Sequence, residues 1–337
     1  MIEPTICDLK FRKLYKDLLK KNSLNDFEKT SSVIKSIYSH AKVEKITVGR
    51  FLAIKGYKIT IGKRTAFFPV SKSRDIKNNK LNGLSFLRNE FYEIGIVLPT
   101  LISNGDQEML LKTLSENQDK NINEKIITDF FKVTLGLPEL LTSTYSTNKH
   151  ISKYIKILEE SLKAYHLGLF KVAVISLLPC IEGVIRDLGV KASSVSSKEL
   201  MGNLIKLQRY YIKYYIFNSY NYIPQDFLDI KLHDTYDECI QVIESLRWFL
   251  EKSLYQHTNT FNESHSLNRH SILHALKPES NYGTESNFFR LINILNSLYF
   301  CSVFSGENGS LFHPSHTAQS EKLESKYLLY SSFKHLI

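Results

Sequence analysis

The first forty residues set Phe11, Leu14, Tyr15 and Leu18 at the three-and-four spacing of one helical face, with lysines mostly elsewhere. The period then changes to that of strands. From Glu44 to Val70 the sequence EKITVGRFLAIKGYKITIGKRTAFFPV is rich in β-branched and aromatic residues and interrupted by Gly49, Gly56 and Gly62, which predicts a small β-meander. The polar stretch Ser71 to Gly83 reads as a loop, and Gly95 to Ser103, GIVLPTLIS, as a buried strand or a short helix. Between residues 105 and 150 a helical pattern mixes with the polar tract SENQDKNINEK and ends in the linker-like TSTYSTNKH, which puts a domain boundary near Asn148.

Beyond Asn148 the pattern is helical throughout. Ile151, Tyr154, Ile155, Leu158, Leu162, Tyr165 and Leu169 share one face. Lys171 to Leu188 is apolar nearly all round, which predicts a helix central to the core, kinked or broken at Pro179 because that residue lacks a backbone donor. Further helices are expected at Lys198–Phe217, Asp234–Tyr255 and Thr284–Phe304, the last with Thr284 as N-cap and Phe288, Leu291, Ile292, Leu295, Leu298 and Tyr299 on one stripe. The tail beyond Gly306 is ambiguous. The expected fold class is α+β, with a mixed N-terminal module over residues 1–148 and an all-α domain over residues 149–337.

At 337 residues, 43% hydrophobic and 23% charged, the chain has the length for two domains and the composition of a folded protein. Cys7, Cys180, Cys239 and Cys301 stand far apart and read as free thiols in a reducing compartment. The N-terminal MIEPTICDLKFRKLYKDLLKK lacks the apolar run and cleavage site of a signal peptide. The most apolar run, Val172 to Ile181, is about half the roughly twenty residues that a membrane span requires. A cytoplasmic location without a membrane partner is the expectation.

The net charge of +10 is uneven, since residues 1–150 hold 25 Lys and Arg against 16 Asp and Glu, whereas residues 151–337 hold 19 against 18. From Lys42 to Arg88 there are 12 basic residues against only Glu44 and Asp75. Such density suits a polyanion, with Lys55, Lys58, Lys63 and Arg64 as candidate nucleic-acid contacts. A solvated basic surface fits the charge equally well. Gln208 to Tyr222, QRYYIKYYIFNSYNY, interleaves aromatic rings with Arg209 and Lys213. That pattern can stack on single-stranded RNA, and more often it forms core or a subunit interface.

The commonest catalytic signatures are missing. GYKITIGKRT, Gly56 to Thr65, is one residue too long for a phosphate-binding loop and has Arg64 where a magnesium-binding hydroxyl belongs. HExxH, GxSxG and DxDxDG do not occur. What remains is Leu267 to Phe289, LNRHSILHALKPESNYGTESNFF, in which Arg269 and His274 flank a short run that includes His270. A guanidinium binds phosphate through parallel hydrogen bonds and imidazole exchanges protons near neutrality, a pairing suited to phosphodiester chemistry. A salt-bridged or capping surface cluster accounts for the same two residues. His270 and His274 also have zinc-ligand spacing, with Glu263 and His265 upstream, but no cysteine or carboxylate of ligand spacing adjoins them, and no metal or other cofactor is expected. Glu182 and Arg186, four apart, read either as a helix-surface ion pair of about 0.2–0.5 kcal/mol or as support for Arg269 or His274.

The run RHSILH resembles the R-x4-6-H motif of the HEPN superfamily, helical domains that include many RNases of toxin–antitoxin and phage-defence systems. The wider segment is similar to a subgroup in which an NRHxxxHG-type motif precedes a YGTE-N stretch, compared here with Tyr282, Gly283, Thr284, Glu285 and Asn287. A PxIEG-like sequence of that subgroup is matched by Pro179, Ile181, Glu182 and Gly183, while Ala275 stands where a glycine often follows the histidine. The resemblance runs from Tyr154 to Phe304 and does not extend into the first 150 residues.

It implies an all-α HEPN-type domain that cleaves RNA without a metal. Arg269 and His274 would be the catalytic pair, with His270, Glu182, Arg186 and Asn268 in support. It further implies a homodimer with both motifs facing one cleft, and an antitoxin or a phage-derived trigger as partner. Two other readings stay open: a non-catalytic HEPN protein that binds nucleic acid or a partner, and a regulatory module whose N-terminal β region recognises a protein.

Overall fold

The computed structural model describes residues 7–49, 52–76, 83–188, 196–218, 220–233, 237–257, 267–274, 276, 282–304, 309–310 and 312–334. In chain order the elements are α1 (Asp8–Lys20), α2 (Phe27–Ile37), β1 (Lys42–Val48), β2 (Ile54–Ile61), β3 (Arg64–Pro69), α3 (Gly83–Glu93), α4 (Asn104–Ser115), α5 (Lys120–Thr134) and α6 (Leu137–Glu139). There follow α7 (Ile155–His166), α8 (Phe170–Leu188), α9 (Ser197–Tyr211), α10 (Ile230–His233), α11 (Glu238–Phe249), α12 (Arg269–Leu273), α13 (Glu285–Phe304) and α14 (Ala318–Ser332). The fold class is α+β.

Backbone contacts divide the chain into one unit of residues 1–83 with 208–241 and a second of residues 84–207 with 242–337. Asn148, where the sequence suggested a boundary, lies inside the second unit. The stretch 142–150 is polar because it is hydrogen-bonded, not because it is a linker. The Tyr145 hydroxyl donates to Asn296 Oδ1 at 2.6 Å and Asn148 Nδ2 to Ser302 Oγ at 2.6 Å. The Asn148 Oδ1 accepts from the backbone N–H groups of His150 and Ile151.

In the first unit β1, β2 and β3 form an antiparallel meander. One face of it packs on α1 and α2 through Phe11, Leu14, Tyr15, Leu18 and Ile34 against Tyr57, Ile59, Ile61 and Phe68. The four α1 positions predicted from spacing are all buried. The free edge of β3 is closed by residues far along the chain: Phe67 N donates to Tyr222 O at 2.9 Å, and Asn221 N donates to Thr65 O at 2.9 Å. Phe67, on the opposite face from Phe68, meets Phe217 and Tyr220 with ring centroids 5.5 and 5.9 Å away. This is why residues 208–241 belong with the sheet. The unit holds 22 Lys and Arg against 12 Asp and Glu, the other 22 against 22, so the first carries the whole net charge of +10.

The described part of the second unit is helical, with α13 enclosed by neighbours including α8 and α5. Thr284 caps it as expected, its Oγ1 accepting from Asn287 N at 3.2 Å. α8 continues through Pro179 as one helix, so that, of the kink or break expected there, the break does not occur. Gly95–Ser103 is neither strand nor helix. Its buried residues Ile96, Val97 and Leu98 run without regular structure, and side chains stand in for a sheet partner. Leu98 N donates to Ser245 Oγ at 2.8 Å, Asn293 Nδ2 donates to Val97 O, and Arg290 Nε donates to Gly95 O at 3.2 Å. Arg290, buried, also grips Glu124 with two 2.8 Å hydrogen bonds. Burial alone would raise the Glu124 carboxyl, but the hydrogen bonds and charge of Arg290 hold it below the usual range.

The tail supplies α14, started by a capping box of Thr317 and Ser320. Its Tyr327 ring stacks on His166 at 4.5 Å, and Ser331 Oγ lies 3.1 Å from His166 Nδ1. No helix among the described residues is long and apolar enough to cross a membrane.

Arg290→Ala removes two of the hydrogen bonds that offset the partial burial of Glu124, leaving it Ser286 and Lys120, and should lower the unfolding free energy by roughly 1–3 kcal/mol in urea titration. Burial, and then the Lys334 ammonium, push the His166 imidazole from 6.5 down to about 4. The unfolded chain therefore takes up a proton there first, and stability complete above pH 6.5 is lost as the pH falls towards 4, at no more than about 1.4 kcal/mol per pH unit. His166→Phe keeps the stack on Tyr327 and should flatten that slope; an unchanged slope would refute the assignment.

Candidate active site

Arg269 and His274 sit at the two ends of α12, a helix of five residues fixed from its N-terminus. Asn268 is fully buried, and its Oδ1 accepts from Ser271 N at 2.9 Å as the cap. Its Nδ2 donates to Gln256 O at 2.7 Å, which ties the turn to the end of the preceding helical segment. Leu267 and Ile272 are buried and anchor it on the apolar side.

Arg269 Nε donates to Glu182 Oε1 on α8 at 2.5 Å, with the two side chains 29% and 10% exposed. Of the partners the sequence offered Glu182, it takes Arg269. Arg186 makes no ion pair with it, and Arg186 Nε is buried without a hydrogen-bond partner. The Tyr255 hydroxyl shares this neighbourhood. Burial first, then the Glu182 charge, hold it well above the ordinary tyrosine range. Among the described residues the terminal nitrogens of Arg269 make no hydrogen bond, so Glu182 fixes one edge of the guanidinium and leaves the other for an anion.

The glycine next to Glu182 has a packing reason. A Cβ on Gly183 would lie 2.0 Å from the Tyr154 hydroxyl, so a side chain there would push Tyr154 off α8. The YGTE run, in turn, builds the start of α13. Asn287 Nδ2 donates to Tyr282 O at 3.1 Å, Gly283 approaches Lys171 closely, and Glu285 pairs with Lys132 at 3.1 Å and Lys334 at 3.2 Å.

His270 and His274 are exposed, with ring centroids 4.4 Å apart. No hydrogen bond joins Arg269 and His274. Five positions on a helix of 3.6 residues per turn separate their directions by about 140°, so Arg269 turns to α8 while His274 turns to solvent beside His270. No group of three His, Cys, Asp or Glu with metal-binding geometry occurs among the described residues. Glu263, His265 and Ala275 lie outside them.

The candidate nucleic-acid contacts, all in the first unit, do not form one patch. Lys55 and Lys58 lie three apart on β2 and therefore on opposite faces of the sheet, Lys58 facing Glu44 across the β1 pairing. Lys63 is exposed in the turn between β2 and β3, and Arg64 is ion-paired to Asp8. The aromatic stretch divides. Tyr211, Ile212, Ile216 and Phe217 are buried, whereas Tyr210, Tyr214 and Tyr215 are exposed together with Arg209 and Lys213. Lys213 Nζ stands 5.7 Å from the Tyr214 ring centre.

Sequence reasoning missed Tyr255 as a neighbour of Glu182 and Tyr154 as a neighbour of Gly183. Tyr154 carries the apolar stripe signal of a core residue, and nothing in the spacing links either tyrosine to α8. No family model, characterised protein or solved structure matches this chain.

Proposed function

We propose that the chain is a metal-independent endoribonuclease whose reacting groups are Arg269 and His274, possessing the toxin-like role in phage defence that the HEPN resemblance implies. The observation that supports this most is the bond from Arg269 Nε to Glu182 at 2.5 Å, which holds a partly exposed guanidinium whose terminal nitrogens make no hydrogen bond among the described residues. In the proposed reaction the ribose 2′-oxygen forms a bond to the adjacent phosphorus and the bond to the 5′-oxygen breaks. Imidazole takes the 2′ proton and a proton is returned to the leaving oxygen. Arg269 binds the extra negative charge of the transition state. The products are a 2′,3′-cyclic phosphate and a 5′-hydroxyl. His270, its ring centre 4.4 Å from that of His274, would share the proton transfers.

The divergence of Arg269 and His274 within one chain favours a site assembled by two protomers, in which the arginine of one meets the histidine of the other. A homodimer of this kind doubles the positive charge offered to the phosphate. RNA is the proposed substrate, and an antitoxin or phage-derived trigger remains an implied partner. The Glu182–Arg269 pair by itself also suits a structural role in a non-catalytic nucleic-acid-binding or regulatory protein, and activity measurements separate the two.

Purified protein should cut mixed RNA in excess EDTA, and His274→Ala and Arg269→Ala should each reduce cutting by roughly 10²-fold or more with unchanged circular dichroism. Activity retained in either variant would discard the assignment, and activity restored only by zinc or manganese would transfer it to His270 and His274 as metal ligands. A mixture of the Arg269→Ala and His274→Ala proteins should recover part of the activity if the cleft takes one group from each protomer. A fully active monomer in light scattering would exclude the shared cleft.

A further inference from the structure

Away from α12, the first unit contains a cleft of about 450 Å³, lined by Arg12, Tyr15 and Lys16 of α1, by Lys72 and Arg74 after β3, and by Tyr222 and Asp226. That volume suits a small ligand. The cleft is built from parts with different chemistry. Tyr15 is buried in the floor, and Tyr222 is partly buried with one ring face against Phe11, 6.2 Å away. Arg12, Lys16 and Lys72 are exposed and have no ion-pair partner among the described residues; Arg74 has only a loose 3.7 Å pairing with Asp75. Four cations therefore face the opening against a single lining carboxylate.

That carboxylate is fixed rather than neutralised. Asp226 Oδ2 accepts from Ser73 Oγ at 2.7 Å, which leaves its other oxygen for a ligand donor. Burial, and then the Asp226 charge, hold the Tyr15 hydroxyl above its ordinary range, so the phenol keeps its proton as a donor. Basic groups for an anion, tyrosine rings for a planar group and one carboxylate for hydroxyl or amino donors make a three-part requirement. Inorganic phosphate meets only the first part.

We propose that this cleft binds a nucleoside phosphate, with Arg12, Lys16, Lys72 and Arg74 on the phosphate and Asp226 on the sugar hydroxyls or the base. The ligand has two sources with the same chemistry, a free nucleotide or the 5′-phosphorylated end of a strand. The assignment does not rest on the ribonuclease reading, because none of its residues belongs to α12 or α8.

The test is isothermal titration of the full chain with adenosine monophosphate, inorganic phosphate, and a DNA tetranucleotide with and without a 5′-phosphate. DNA lacks the 2′-hydroxyl and cannot undergo the proposed cleavage, so binding is read independently of it. Saturable binding of the monophosphate, at least tenfold tighter than inorganic phosphate, is expected. The Arg12→Ala, Lys72→Ala double variant should weaken it at least tenfold, and Asp226→Asn should weaken the nucleotide without changing phosphate binding. Both sets of groups are exposed, and unchanged thermal unfolding checks that the variants fold. A 5′-phosphorylated tetranucleotide that binds tighter than the monophosphate identifies a strand end as the ligand; the reverse identifies the free nucleotide. Absence of saturable binding by both, equal affinity for inorganic phosphate, or unchanged affinity in the double variant would overturn the proposal.

Discussion

A helix enclosed on every side needs at least one partner for each polar side chain it carries, and α13 carries many. Asn287, Arg290, Asn293, Asn296 and Ser302 are all buried. An unpaired amide or guanidinium in such a place costs several kcal/mol or more, so these residues dictate what lies against the helix. Arg290 demands Glu124 and the carbonyl of Gly95, Asn293 takes the carbonyl of Val97, Asn296 takes the Tyr145 hydroxyl, and Ser302 takes Asn148. Gly95–Ser103, which has no regular secondary structure, and the stretch from Tyr145, at the end of a helical turn, to Asn148 are thereby tied to α13. The second unit is organised by the hydrogen-bonding needs of one element as much as by its apolar surface.

The same logic, weaker in degree, governs the candidate active site. Glu182 sits on α8 and is nearly buried, so its carboxylate needs a cation, and Arg269 provides it. The arginine is therefore immobilised at its Nε edge before any ligand arrives. The two histidines have no such restraint. In the proposed ribonuclease reading, a positioned charge from one protomer would meet adaptable imidazoles of the other, a workable division of labour because the charge must match a fixed transition-state geometry while protons move between groups that shift.

Periodicity made the helices and the meander legible. Phe11, Leu14, Tyr15 and Leu18 are buried as their spacing implies, and Thr284 caps α13. What could not be read depends on partners distant in sequence. TSTYSTNKH looks like a linker because hydroxyl and amide side chains are usually solvated, and only the polar groups of α13 turn it into core. GIVLPTLIS is apolar enough for a strand, but its backbone is satisfied by Ser245, Arg290 and Asn293, at separations of 147 to 196 residues. Glu182 had a local candidate in Arg186 four residues on, yet its partner is 87 residues away. The continuous helical pattern from 151 onwards also hid the return of residues 208–241 to the sheet.

That return sets an order of events during synthesis. β3 ends at Pro69, and the backbone that closes its edge, at Asn221 and Tyr222, emerges roughly 150 residues later. At about 5–20 residues per second the interval is on the order of 10–30 s. Throughout it the nascent meander presents an unpaired strand edge, with Phe67 lacking Phe217 and Tyr220, which is the kind of surface that pairs with another chain. The lysines and arginines crowded into this part of the sequence then have a use before folding is complete: neighbouring nascent chains repel one another while the edge is open.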